Sequence, residues 1–186
     1  MSAPEHTALL LIDMQADFVA PDGAMARLGR DVTAVQAAVA KAVSLAEVAR
    51  VAGVPLVFVR LLTQPGGGAG EDICVEGTRG AEFTGPQPQA GDVIVSKPRF
   101  SAFAGTGLAD RLHAQEIDTV VLAGLTTECC IQASAWAAFE LDFHVILASD
   151  ACAAYEEELH RHALRALELS GASLAASADL AILWAK

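Results

Sequence analysis

Three chemically able residues stand where apolar runs end. Asp13 closes "TALLLID", Lys97 follows "DVIVS", and the run "DTVVLAG" passes through "LTTE" to the adjacent Cys129 and Cys130. An acid, an amine and a thiol are the parts that covalent hydrolysis of an amide needs. The thiol has to become a thiolate, which the first turn of a helix and a nearby ammonium both favour. A carboxylate beside it can take the thiol proton and hand it to the departing amine. Backbone N–H groups at a strand-to-helix turn can hold the developing oxyanion. Taken singly, each residue has an ordinary explanation: a turn cap, a solvated lysine, a small core cysteine. Their joint occurrence at three run ends is what points to chemistry. Adjacent residues on a helix point about 100° apart, so one cysteine of the pair faces such a site and the other packs away. The residues alone leave open which one.

The elements that must position these groups are legible as apolar runs of strand length at 7–13, 54–62, 92–96, 118–124, 143–149 and, weakly, 172–177. The runs are nearly continuous rather than alternating, which suits strands buried on both faces of a parallel sheet. Segments with helical spacing and strong helix formers lie between them at 31–52, 106–116, 128–141 and 156–170. The alternation predicts right-handed crossovers and a doubly wound α/β fold, a six-stranded parallel sheet with helices on both faces. No repeat or linker divides the chain, so the expectation is a single domain over 1–186. In such sheets ligands bind outside the carboxyl ends of the strands, where Asp13, Lys97 and the cysteine pair fall. The connection 62–91, "LTQPGGGAGEDICVEGTRGAEFTGPQPQAG", is long for a compact domain, and its part 74–85 has the character of a segment reaching over a site.

Composition removes other classes of function. A net charge of -11 leaves no basic face for nucleic acid or anionic lipid. The first apolar run ends at Asp13 and follows no basic region, so neither a signal peptide nor a membrane span is expected, and the expected location is the cytoplasm. The four cysteines, Cys74, Cys129, Cys130 and Cys152, have no C-x-x-C or zinc-type spacing and are expected as thiols. No G-x-S-x-G, G-x-x-x-x-G-K-[ST] or H-E-x-x-H occurs. His160 and His162 lie two apart on one helical segment and face different ways, which reads as surface. Nothing calls for a metal or another cofactor.

The segments "LLLIDMQADF", "CVEGTRGAEF", "SKPRFSAFAGTGLADRL", "VLAGLTTECCIQASAWAA" and "VILASDACAA" together resemble the isochorismatase-like cysteine hydrolase superfamily over essentially the whole chain. That superfamily includes nicotinamidases, N-carbamoylsarcosine amidase, ureidoacrylate amidohydrolases and biuret hydrolases. Its pattern G-x-x-T-[ED]-x-C-[VI] falls on Gly124, Thr127, Glu128, Cys130 and Ile131. The resemblance therefore implies Cys130 as nucleophile, Asp13 as acid/base and Lys97 as the amine, and leaves Cys129 at a variable position. It further implies a cis peptide between Leu125 and Thr126, with the N–H groups of Thr126 and Cys130 forming the oxyanion hole. Sheet order 3-2-1-4-5-6 and assembly as a homodimer or homotetramer come with it.

Departures from the pattern narrow the substrate. Nicotinamidases carry an Asp and several His after the second strand that bind a metal, and "VFVRLLTQPGGGAG" offers none. True isochorismatases hydrolyse a vinyl ether and generally lack the cysteine that this chain has. The implied activity is hydrolysis of a C–N bond in a small linear amide, ureido or carbamoyl compound, without cofactor and through a thioester. Phe18, Phe83, Phe100, Phe103 and Trp136 are candidates for the pocket wall, although aromatic side chains serve a core equally well. Arg79 and Arg99 are candidates for holding a substrate carboxylate through paired hydrogen bonds, and equally for surface ion pairs. Two readings compete with amide hydrolysis: vinyl-ether cleavage, and a redox or peroxide-responsive Cys129/Cys130 pair, for which no separate resolving cysteine is recognisable.

Overall fold

The structure, a computed structural model, describes residues 4–66 and 72–185. The chain begins with strand β1 (Thr7–Ile12), followed by two short helices, α1 (Ala16–Val19) and α2 (Ala24–Arg27), and the long α3 (Thr33–Val51). Then come β2 (Leu56–Leu61), β3 (Val93–Lys97), α4 (Leu108–His113), β4 (Thr119–Leu125), α5 (Gln132–Glu140), β5 (His144–Ala153), α6 (Glu157–Leu169), β6 (Ser173–Ala175) and α7 (Ser177–Trp184). All six strands are parallel, in the order β3-β2-β1-β4-β5-β6. This is the doubly wound α/β sheet that the spacing predicts.

The apolar runs are continuous because each central strand feeds two cores. In β1, Ala8, Leu10 and Ile12 point to a layer that includes Leu108, Leu112, Ile131, Ala135 and Leu167 from α4, the α5 region and α6. Leu9 and Leu11 point to the opposite layer, built on Val35, Ala42 and Leu45 of α3 with Leu180 and Trp184 of α7. Every residue of β1 and β4 is buried. Burial of that kind, at roughly 25 cal/mol per Å² of apolar surface, is what holds the strand ends in fixed relation.

Four elements differ from the sequence expectation. The helices α1, α2 and α7 were not anticipated; α1 and α2 are single turns too short for a periodic signal, and α7 is apolar almost all round. The helix expected from 128 starts as a π-type turn over Thr127–Ile131 and becomes α-helical at Gln132. Within the long connection, the tip at 67–71 lies outside the described residues, but its flanks are tied down. Thr63 bridges Val75, Gln15 bridges Phe83, and the Cys74 N–H donates to Oδ2 of buried Asp17 at 2.8 Å.

Gly124 sets the distance between β1 and β4 at their functional end. Its φ is 133°, and a Cβ there would stand 2.0 Å from the carbonyl oxygen of Ile12. Only glycine permits that approach and that dihedral together. The β4–β5 register shifts between Leu122 and Gly124, so the sheet is irregular where the site is built.

Candidate active site

Asp13, Lys97 and the turn carrying Cys130 meet at the carboxyl edge of the sheet. Ile12 pairs with Val59 on one side and Gly124 on the other, so the next residue, Asp13, emerges between β2 and β4. Its φ of 53° turns the chain sharply away from the sheet. Buried Gln15 fixes this exit: its Nε2 donates to the carbonyls of Leu61 and Ala81 at 2.8 and 3.0 Å, and its Oε1 accepts from the Leu61 N–H at 2.8 Å. Lys97, paired with Leu61 at the end of β3, lies two strands from β1, about 10 Å at the usual strand spacing. Only a long side chain spans that gap.

The Lys97 ammonium joins the site together. Its Nζ donates to Oδ2 of Asp13 at 2.7 Å, to the Arg99 carbonyl at 2.9 Å and to Sγ of Cys130 at 3.4 Å. Both charged side chains of the pair are shut off from solvent. Oδ1 of Asp13 is buried and accepts no conventional hydrogen bond among the described residues, while the Cys130 thiol lies close enough to favour the ionised carboxylate. Burial nevertheless holds the Asp13 carboxyl above its ordinary range, against the stabilising pull of Lys97.

The cysteine turn is anchored at both ends. The Thr126 carbonyl accepts from the N–H groups of Cys129 and Ile131 at 3.0 and 3.2 Å, and the Leu125–Thr126 peptide is cis. Ser134, fully buried, donates to the Cys130 carbonyl at 2.6 Å and accepts from the Ala102 N–H at 2.9 Å, tying the segment after Lys97 to the turn. The Thr127 hydroxyl lies 2.8 Å from Nδ1 of His160 on α6. His160 is thus half-buried against the turn and not a free surface residue, and its burial lowers its pKa.

Electrostatics here run opposite to the simple expectation of a ready thiolate. Its hydrogen bond with Cys129, then burial, then the Asp13 carboxylate all push the Cys130 thiol up, with only Lys97 acting to lower it. Cys129, half-exposed, is lowered mainly by its hydrogen bond with Cys130. These influences favour the neutral Cys130 thiol over its thiolate.

A cavity of about 320 Å³ opens over the turn. Leu125, Thr126, Glu128, Cys129 and Cys130 form its floor, and Phe18 and Phe100 stand among its walls, as do Arg30, Tyr155 and Glu156. The other candidates for the pocket wall lie elsewhere. Phe83 packs edge-on against Phe58 and, with Arg79, borders a separate surface groove beside α3. Phe103 belongs to the core, where its ring lies 5.7 Å from that of Phe143. Trp136 sits on the outer side of α5 against Phe139. Arg79 is held by Asp22, and Arg99 is exposed, contributing its carbonyl and not its guanidinium. The cationic side chain at the cavity is Arg30, which no local motif marks. Among the described residues, no group of three or more His, Cys, Asp or Glu is arranged to hold a metal ion.

Known proteins share both the sequence and the architecture. The chain is 38% identical over 151 residues to maleamate amidohydrolase of Pseudomonas putida, covering 75% of this chain and 68% of that one. It is 27% identical over 191 residues to the ureidoacrylate amidohydrolase RutB of Methylobacterium radiotolerans, covering 89% and 74%. The crystal structure of a cysteine hydrolase from Pseudomonas syringae pv. phaseolicola superimposes with a TM-score of 0.90 over 99% of this chain and 94% of that one, at 24% identity. The isochorismatase domain profile matches residues 7–179, which includes every strand of the sheet, and with it the chain belongs to the isochorismatase family.

Proposed function

We propose that this chain is a cysteine amidohydrolase that cleaves the C–N bond of a small amide, ureido or carbamoyl compound through a thioester on Cys130. The observation that carries the proposal is the buried Lys97 ammonium, within bonding distance of both the Asp13 carboxylate and the sulfur of Cys130, the member of the three that lines the cavity. The amidohydrolase names of two relatives, one for maleamate and one for ureidoacrylate, support the bond type.

In this reading Asp13 takes the proton from Sγ as the sulfur attacks the carbonyl carbon. Lys97 holds the carboxylate in place and stabilises the negative charge passing between sulfur and oxygen. The carbonyl oxygen becomes an oxyanion held by the N–H groups of Thr126 and Cys130. Collapse expels the amine, which leaves with the proton from Asp13, and the acyl group stays on sulfur. Water then gives a proton to Asp13 and its oxygen to the acyl carbon. The carboxylic acid departs and the proton returns to the thiol. Proton traffic through one carboxylate is worth roughly 10²–10⁴ in rate, and the raised Asp13 pKa suits a group that must both take and give.

Ammonia release from N-carbamoyl amino acids, ureidoacrylate, maleamate, biuret, nicotinamide and simple amides tests the proposal, with wild type and Cys130→Ala run side by side. Release from at least one that vanishes in the variant is the expected result. Silence from folded wild type across the panel, or equal release by the variant, would overturn it.

A further inference from the structure

The turn that carries Cys130 is of the wide, π type. The Thr126 carbonyl accepts from the N–H groups of Cys129 and Ile131 and passes over Cys130 between them. That keeps the Cys130 N–H off this carbonyl, but a wide turn of five residues is a less regular structure than the α-helix that follows it. Its shape needs support from side chains.

Support comes at both ends. Ser134, one turn further along the same helix, donates to the Cys130 carbonyl at 2.6 Å. At the other end it comes from a different element: the Thr127 hydroxyl lies 2.8 Å from Nδ1 of His160 on α6. Thr127 is fully buried, so its hydroxyl has no solvent to fall back on if that bond is lost. His160 is itself fixed near the start of α6, where its N–H donates to the Glu156 carbonyl at 3.1 Å. The helix packs inward through Ala163 and Leu167, so the imidazole is offered from a rigid base. Its ring does not line the cavity, whereas Glu156 and Leu159 beside it do.

We propose that His160 is a positioning residue: through its bond to the Thr127 side chain it holds the turn so that the N–H groups of Thr126 and Cys130 converge on the substrate's carbonyl oxygen. This rests on the amidohydrolase reading above and extends it to a residue that does not touch the substrate. Without the imidazole, the buried Thr127 hydroxyl is unpaired and the turn relaxes. Displaced donors lose more of their hold on the oxyanion, which forms only as the reaction proceeds, than on the neutral amide. The cost therefore falls on kcat rather than KM.

Kinetics on the best substrate of the amide panel, together with hydrogen–deuterium exchange of the turn, test the role. His160→Ala, checked for folding by circular dichroism, should lower kcat by about tenfold or more while KM stays within about threefold. His160→Gln, which keeps bulk but carries its amide where Nε2 stands, should lose as much. His160→Asn, whose amide can meet the Thr127 hydroxyl from nearly the place of Nδ1, should recover most of the loss. Thr127→Val should match His160→Ala, and the double variant should lose no more than either alone, as two groups acting through one bond do. His162→Ala, two residues along and exposed, is the control and should keep wild-type kcat. Exchange in the peptide covering 126–131 should speed up in His160→Ala and His160→Gln but not in His162→Ala, with β1 unchanged. Wild-type kcat in His160→Ala or His160→Gln would overturn the inference, as would a change confined to KM or additive losses in the double variant. Equal kcat in His160→Asn and His160→Gln, or unaltered exchange of the turn, would do the same. Absence of hydrolysis by wild type, with exchange of the turn still accelerated in His160→Ala, would count against the amidohydrolase reading and leave the His160 assignment standing.

Discussion

Nζ of Lys97 lies 2.7 Å from Oδ2 of Asp13, and neither side chain reaches solvent. Removing one partner of a buried ion pair strands the other charge, at a cost of about 3–5 kcal/mol. Lys97→Met should lose about 3 kcal/mol at pH 7.5, read from urea unfolding, and lose activity. The stability loss should shrink at pH 5, because the stranded Asp13 carboxyl, already raised by burial, takes up a proton there. A loss independent of pH would contradict the pairing as described.

The raised Asp13 carboxyl also fixes the sign of the pH–rate profile. A base has to be ionised, so kcat/KM should fall on the acid side with an apparent pKa above the ordinary aspartate value of 3.8. For stability the same shift works the other way. The folded carboxyl binds its proton more tightly than the unfolded chain does, so its contribution is full below the ordinary value and is lost as pH rises through the folded one. An acid limb at or below 3.8 would argue against Asp13 as the base.

Cys129 and Cys130 both line the cavity, against the expectation that one of the pair packs away, because the turn that carries them is π-type, but they differ in environment. The hydrogen bond with Cys129 is the largest influence holding the Cys130 thiol up. Cys129→Ala should therefore speed alkylation of Cys130 by iodoacetamide at fixed pH and keep turnover within a few-fold of wild type. Loss of activity equal to that of Cys130→Ala would favour a functional dithiol pair.

Gly124 separates backbone geometry from chemistry. A methyl group there meets the Ile12 carbonyl at 2.0 Å and sits on a φ that side chains avoid. Gly124→Ala should cost about 3 kcal/mol or more, seen as a lowered urea midpoint. A wild-type midpoint would mean that β1 and β4 are not held as closely as described.

How much of this was legible in the sequence depends on whether a signal is local. The strands were readable because two-sided burial writes itself as an unbroken apolar run, as in "TALLLI" and "TVVLAGL". Asp13, Lys97 and the Cys129/Cys130 pair could be singled out because sheet topology puts run ends on one edge, whatever the loops do, while the choice of Cys130 within the pair rests on the family resemblance. The pocket wall was not readable in that way. Phe103 and Phe100 are three residues apart in one loop, yet the first goes to the core and the second to the cavity. Arg79 was lost to Asp22, 57 residues away, and Arg30 reached the cavity from a loop without any motif. His160 read as surface because its partner, Thr127, lies on a different element. The π-type turn under Glu128 and Cys130 has no periodicity of its own within five residues.

Mapping the covalent adduct bears most directly on Cys130 as nucleophile. Wild-type enzyme is quenched in acid during turnover of the best substrate from the amide panel, digested, and the peptide holding Cys129 and Cys130 is sequenced by tandem mass spectrometry. A mass gain equal to the substrate minus its amine, located on Cys130 and absent from Cys130→Ala, is the predicted result. An adduct on Cys129, or undiminished turnover in Cys130→Ala, would contradict it.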